Sequence, residues 1–390
     1  MIRFAGLRRT AIAVAALLVA LVLPAAASAK EEGPKVTVMT RNIFLGADLG
    51  PALAAPTIPA AIDGAGTIWN EFQSTNFPER AVPLAREIKT AKPDLVGLQE
   101  VTLWQKQVPS DGGAPPLALP GFPAQPATEV EQDFLALLMQ ELAAIDAHYE
   151  VVEIQTEFKG ELPADVDHND NTGFPFGADL DVRLTMRDVI LARAESEVTL
   201  GDTDGGNYTN KFTPRIAGII PLPVDRGWVS VEGKVMESET DSAIRFRFVN
   251  THLEAFGEDT IREAQAKELF DEGGPLDTEE QVILVGDLNS GLEVPHNIHG
   301  TDQLAFQALT LEPPLGFGMT DNGAIQSCCY SDLFDPTQVF DHTVDHVLTK
   351  PGLTTKRAFI TGNDLSERTP SGLWPSDHGG VVSRLELLKK

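Results

Sequence analysis

The sequence predicts a layered α/β or α+β fold rather than a parallel doubly wound sheet. Three observations carry this. Short β-branched segments alternate irregularly with a few amphipathic ones, without a strict strand-helix rhythm. No internal repeat or heptad run is present. Once an N-terminal leader is set aside, the chain is long for one domain but within reach of a single large α/β sandwich carrying insertions, and no linker divides it.

Strands are predicted at KVTVMTRN (35–42), DLVGLQEV (94–101), YEVVEIQTEF (149–158), RDVILAR (187–193) and GWVSVEGKV (227–235). Four more follow at IRFRFVNTHL (244–253), QVILVGDLN (281–289), TVDHVLT (343–349) and GVVSRLEL (380–387). Apolar residues recur at helical spacing over 78–91, 131–146, 258–272 and 301–310. Two stretches read as long loops, 106–128, rich in Pro, Gly and Ala, and 159–186, which carries Asp165, Asp167, His168, Asp170, Asp179 and Asp181. The DHNDN run at 167–171 lacks the glycine and distal glutamate of an EF-hand and is expected to be a solvated acidic loop.

The first 29 residues read as a signal peptide. A basic start, the apolar run AIAVAALLVALVL and the small-residue motif ending at Ala29 follow in order. The run falls short of the ~20 residues needed to span a bilayer, and no later stretch reaches that length. Residues 30–390 are therefore expected to be one secreted or extracytoplasmic domain, monomeric, without a transmembrane segment or obligate protein partner. The net charge of −27 keeps such a protein soluble and argues against tight nonspecific binding of polyanions. A local metal site can still invert the field where a phosphate sits. The only cysteines, Cys328 and Cys329, are neighbours, so either a vicinal disulfide or two buried thiols is open.

Several strand ends bear the same kind of chemistry. Counting in twos, Asn42 shares a face with Val36, Val38 and Thr40; Glu100 with Val96 and Leu98; His252 with Phe246, Phe248 and Asn250. Asp287 and Asn289 point together, and Asp345 goes with Thr343 and Val347. One polar strand end is ordinary, whereas five ending in amides, carboxylates and imidazoles suggest a common site. Carboxylates and amides with few thiols favour a hard cation: Mg²⁺ first, with Mn²⁺ or Ca²⁺ as alternatives.

In this order, TRN, DLVGLQEV, NTHLEA, VGDLNS, VDHVL and PSDHGGV resemble the endonuclease/exonuclease/phosphatase superfamily, over residues 36–386. The resemblance implies a DNase I-like four-layer sandwich, two packed mixed β-sheets flanked by helices, with the site at one end of the sheets. It implies metal binding by Glu100, Asn42, Asp377 and Asp287, and a catalytic His378 oriented by Asp345. Asn289 would bond the scissile phosphate, and His252 would stabilise that phosphate or protonate the leaving group. Arg187 stands where relatives often carry a basic phosphate contact, with Arg183 and Arg193 as competitors. The implied activity is metal-dependent phosphoester hydrolysis. Nucleic acid is the first substrate class expected and a phospholipid or sphingomyelin diester the second; a catalytically silent binding protein on the same scaffold is the rival class.

Overall fold

The computed structural model describes residues 33–114, 125–169, 175–237, 242–292, 303–313, 316–321, 325–350 and 353–388. The expected signal peptide, with its cleavage point at Ala29, lies outside the described residues, as do His296 and His299. Among the described residues no helix is long and apolar enough to cross a membrane.

Six strands open the chain: β1 (Lys35–Asn42), β2 (Leu95–Gln99), β3 (Leu103–Gln107), β4 (Glu129–Asp133), β5 (Tyr149–Ala164) and β6 (Leu180–Arg193). They belong to one mixed sheet, in which β1 and β2 are parallel and the other pairs antiparallel. β7 (Thr199–Asn207) begins a second sheet. The short pair β8 (Arg215–Ile216) and β9 (Ile220–Pro221) stands apart. β10 (Gly227–Met236), β11 (Ala243–His252), β12 (Gln281–Asp287), β13 (Thr320–Asp321) and β14 (Asp345–Thr349) complete the second sheet. Its order is β13-β14-β12-β11-β10-β7. The chain then returns to the first sheet with β15 (Thr354–Thr361) and β16 (Gly380–Glu386), and β16 docks between β15 and β1.

Alternation along the strands separates the layers. Val36 and Val38 of β1, Phe246 and Phe248 of β11, and Ile283 and Val285 of β12 share the core between the sheets. Met39, Val96 and Leu98 face the other way, onto α2 (Ile58–Ser74), α3 (Phe77–Ala91) and α4 (Phe134–Ala144), the helices that follow the four-residue α1 (Gly50–Leu53). Val249, Val282 and Leu284 pack on α5 (Asp259–Glu268) and α6 (Leu304–Thr310). Helices, sheet, sheet and helices thus form the four layers expected.

The expectation of a loop over 159–186 is corrected. β5 runs on to Ala164 and β6 starts at Leu180, so residues 159–164 and 180–186 belong to the sheet. Gly160, Pro163 and repeated acidic residues disguise the hairpin, whose pairing absorbs an irregularity between Thr156 and Lys159. Polar, exposed β7 and the glycine- and alanine-rich α2 were likewise not expected.

A polar link crosses the inter-sheet core just below the site. The Gln99 amide donates to Asn250 Oδ1 at 2.6 Å, and the Asn250 amide donates to the Leu98 carbonyl at 2.9 Å. The sheets come this close because Gly97 has no side chain. A Cβ there would meet Val285 Cγ2 at 2.5 Å and Asn250 Oδ1 at 2.6 Å. Gly97→Ala is therefore expected to cost about 1–3 kcal/mol by overpacking, read from the denaturant midpoint.

Candidate active site

The second sheet supplies a row of side chains by register alone. His252 of β11 pairs with Asp287 of β12, which pairs with Asp345 of β14. All three are about 1% exposed, at the end of the inter-sheet core. His378, in the turn before β16, completes the cluster from the first sheet. Its Nδ1 lies 2.8 Å from Asp345 Oδ2, and its Nε2 lies 3.7 Å from Asp287 Oδ2. The Ser327 hydroxyl donates to the same Asp345 oxygen at 2.6 Å, which fixes the carboxylate that holds the ring. Burial alone would lower the pKa of His378, but Asp345, Asp287 and Asp377 together hold it well above the ordinary histidine value.

Asn42, at the end of β1, donates through Nδ2 to Asp287 Oδ2 at 3.0 Å, and its Oδ1 accepts from the Phe44 amide at 2.9 Å. Asn289 follows β12 with φ +45° and donates to the Leu253 carbonyl at 3.0 Å, its amide 3.1 Å from His252 Nε2. Glu100 departs from the face count. β2 sends Val96 and Leu98 toward the helices, yet Glu100 lies beyond the strand with φ +58°, and that left-handed turn swings it into the cavity. The gap it occupies has a simple origin. β2 and β3 lie end to end along β6, Leu98 opposite Val189 and Leu103 opposite Thr185, and Glu100 falls between them.

Glu100 and Asp377 line one cavity of about 300 Å³ together with Arg226, Phe44, Phe158, Met186, Phe256 and Tyr330. Burial raises both carboxyls, Asp377 to about 6, and burial likewise raises Asp287 to about 6. Partly desolvated carboxylates at the mouth of a buried acid-histidine cluster are a donor set that fits a hard divalent cation.

Arg187 does not join them. It sits on the helix-facing side of β6, where it donates to the Val101 and Thr102 carbonyls at 2.8 and 3.3 Å and pairs with Asp133 at 2.6 Å. Arg226, just before β10, is the guanidinium in the cavity wall. It is 3% exposed, lies 3.0 Å from His252 Nδ1, and pairs loosely with Glu157 and Glu254 at 3.7 and 3.6 Å. Burial, then the positive Arg226 and His378, push the pKa of His252 well below the usual value, so its ring is neutral.

Two arginines of the first sheet and its helix fix the loops that carry these groups. Arg80 of α3 donates to the Ile43 and Pro375 carbonyls, both at 2.9 Å. Arg41, paired with buried Glu87 at 3.1 Å, donates to the His378 carbonyl. Cys328 and Cys329 are joined as a vicinal disulfide, with Cys328 Sγ 3.4 Å from His378 Nε2. Buried His346 packs on Phe306 and bonds the Thr343 carbonyl.

Beside His252 lies an acid pair that sequence reasoning did not single out. Glu157, Asp188 and His252 each bring a ligand atom within 4.8 Å of the others. Burial lifts Glu157 to about 8; burial, then the Glu157 charge, lifts Asp188 well above its model-compound value. An acid whose folded pKa is raised stabilises the fold below its unfolded pKa, and that stability is lost as pH rises toward the folded value. Asp188→Asn should therefore leave Tm nearly unchanged near pH 4 and raise it increasingly over the parent toward pH 8. A constant offset between the two melting curves would contradict this.

The sequence profile of the Endonuclease/Exonuclease/phosphatase family matches residues 68–378. No curated protein shows significant sequence similarity to the chain. Among solved structures, a family protein from Bacteroides vulgatus is 16% identical, with 91% of this chain and 100% of that chain covered and a TM-score of 0.48. One from Beutenbergia cavernae is 18% identical over 90% and 72% of the two chains, with a TM-score of 0.48. A mannosyl-6-phosphatase from Bacteroides thetaiotaomicron is 16% identical over 91% and 100%, with a TM-score of 0.47.

Proposed function

Because the chain belongs to the Endonuclease/Exonuclease/phosphatase family, whose members hydrolyse phosphoester bonds, we propose that it is an exported, divalent-cation-dependent phosphodiesterase acting through His378. The observation that carries this reading is the convergence of His252, Asp287, Asp345 and His378 from four strand ends beside the cavity lined by Glu100 and Asp377.

In its neutral form, which a cation beside Asp287 and Asp377 would favour by offsetting the carboxylates that hold the ring protonated, His378 accepts the proton of the attacking water on Nε2, while Asp345 holds Nδ1–H and stabilises the imidazolium that forms. Asp287, held by Asn42, orients the water. As the water oxygen bonds to phosphorus, negative charge gathers on the non-bridging oxygens; the ester bond then breaks, and the leaving oxygen departs with the bonding pair and takes a proton from solvent. Asn289, neutral His252 and Arg226 offer hydrogen bonds to that charge. A neutral, buried His252 suits this role better than that of a cationic acid for the leaving group. Glu100 and Asp377, with Asn42 and Asp287 nearby, would hold the cation, Mg²⁺ in the first instance, which when bound supplies further charge neutralisation.

The lining supports the second of the two substrate classes expected from sequence. The cavity has one guanidinium, several aromatic and apolar walls, and an apolar neighbour sharing Leu49, Leu53 and Phe158 with it. With an overall charge of −27, this favours a diester bearing an apolar substituent, such as a phospholipid, over a long polyanion. Purified protein with Mg²⁺ should hydrolyse sphingomyelin or phosphatidylinositol faster than DNA or RNA, measured as released headgroup or acid-soluble nucleotide. Faster turnover of nucleic acid, falling steeply with salt, would overturn the substrate assignment. Silence on every ester with cation bound would favour the binding-protein class.

A further inference from the structure

Where β5 leaves the sheet and β6 enters it, a second set of carboxylates gathers. Asp165 immediately follows β5, Asp179 immediately precedes Leu180 of β6, and Asp167 lies between. One oxygen from each of the three is within 4.8 Å of the other two. A cluster of this kind is common on acidic surfaces; what sets this one apart is Asp165. That residue is 1% exposed, and neither of its carboxylate oxygens accepts from an N–H or hydroxyl donor, its side-chain neighbour being the Asp167 carboxyl. Nearby Asp181 is equally buried, but it accepts from the Ser110 hydroxyl at 2.6 Å and the Asp111 amide at 2.8 Å. A buried carboxylate with no donor is far costlier than one so satisfied.

The backbone leaves Asp165 no other course. Its amide donates to the Ile62 carbonyl of α2 at 3.3 Å, and the Asn70 amide donates to the Val166 carbonyl at 2.8 Å. Gly66 lets the segment lie directly on the helix, since a Cβ there would sit 1.7 Å from the Asp165 carbonyl oxygen. Asp179 Oδ2 accepts from the Val166 amide at 3.0 Å, which draws the two ends of the segment together. The charges that bear on Asp167 are those of Asp179 and Asp165, both carboxylates.

We propose that Asp165, Asp167 and Asp179 bind one Ca²⁺ ion that fastens the end of the β5–β6 hairpin to α2. The ligands are oxygens alone, without imidazole or thiolate, which selects a hard cation. Asp165 and Asp167 lie outside regular structure just beyond β5 and Asp179 just before β6, which suits the variable coordination of Ca²⁺ better than the strict octahedron of Mg²⁺. The same hairpin carries Phe158 and Met186 of the active-site cavity, so the ion steadies one wall of that cavity from outside.

The test uses the full chain stripped with a chelator, in the Glu100→Gln background so that the expected active-site cation does not contribute. Equilibrium dialysis against Ca²⁺ should find one ion per chain. Saturating Ca²⁺ should raise Tm by several degrees, as any ligand bound only by the folded state does. Asp165→Asn added to that background should abolish both the bound ion and the Ca²⁺-dependent shift, and should raise the Tm of the metal-free protein because the unpaired buried charge is gone. Asp167→Asn, at an exposed position, should weaken binding at least tenfold and serves if the first variant fails to fold. Absence of bound Ca²⁺ in the Glu100→Gln protein, or Ca²⁺ binding that survives both aspartate substitutions, would overturn the proposal.

Discussion

His378→Ala is expected to lower kcat by about 10³–10⁴-fold while changing KM little, since a general base acts on the transition state and contributes up to about that factor. The backbone contact to Arg41 uses the His378 carbonyl and survives the substitution. The side chain, however, is the partner of a fully buried carboxylate. With the ring gone, Asp345 retains only the Ser327 hydroxyl on Oδ2 and nothing on Oδ1, so Tm should fall as well. Asp345→Asn on its own should lower kcat by about 10²–10⁴-fold, through loss of the ring's orientation and of the charge that stabilises its protonated form. Combining the two separates the roles: the double variant should recover Tm by removing the stranded charge, yet turn over no faster than His378→Ala. A His378→Ala protein within tenfold of the parent would show that another group accepts the proton.

Removing the cation should have an effect of similar size. Chelation is expected to bring turnover to background and excess Mg²⁺ or Mn²⁺ to restore it, and Glu100→Gln should cost about 10³-fold, the several kcal/mol that a bound cation contributes to charge stabilisation. The substitution is gentle on the fold, because the carboxamide oxygen can still accept from the Leu45 amide, now at 2.7 Å from Glu100 Oε2. Titrating Mg²⁺ against the variant distinguishes weak binding from lost chemistry. A curve displaced to higher concentration with the same plateau assigns Glu100 to holding the ion. Chelator-sensitive activity with an unchanged curve would remove Glu100 from the site.

The sequence read most clearly where strand and chemistry meet. Asn42, His252, Asp287 and Asp345 lie at or next to strand ends that β-branched residues announced, and register alone brings the last three side by side. Counting put Glu100 on the face of Val96 and Leu98, which turns to the helices, because a single left-handed residue cancels the alternation on which counting depends; the motif identified it independently of its face. Arg187 and Arg226 show the same limit from the other side. Both stand at strong strand signals, and which one lines the cavity follows from β6 turning Arg187 toward α4 while Arg226 stays buried against His252. Glu157 and Asp188 were illegible for another reason. They meet across the β5–β6 pair, and in sequence each looks like an ordinary charge on a strand that could have been exposed.

The strand order also fixes when in the life of the molecule activity can begin. Lys35 pairs with Glu386, so the first strand made waits for the last before its second edge is covered, and His378 arrives in the same closing segment. A growing chain can build the second sheet, gather His252, Asp287 and Asp345, and still lack its proton acceptor. Until β16 docks, β1 presents an unpaired edge to other chains. A chain ending before β16 is therefore expected to hydrolyse no phosphoester and to sediment as larger species than the full chain.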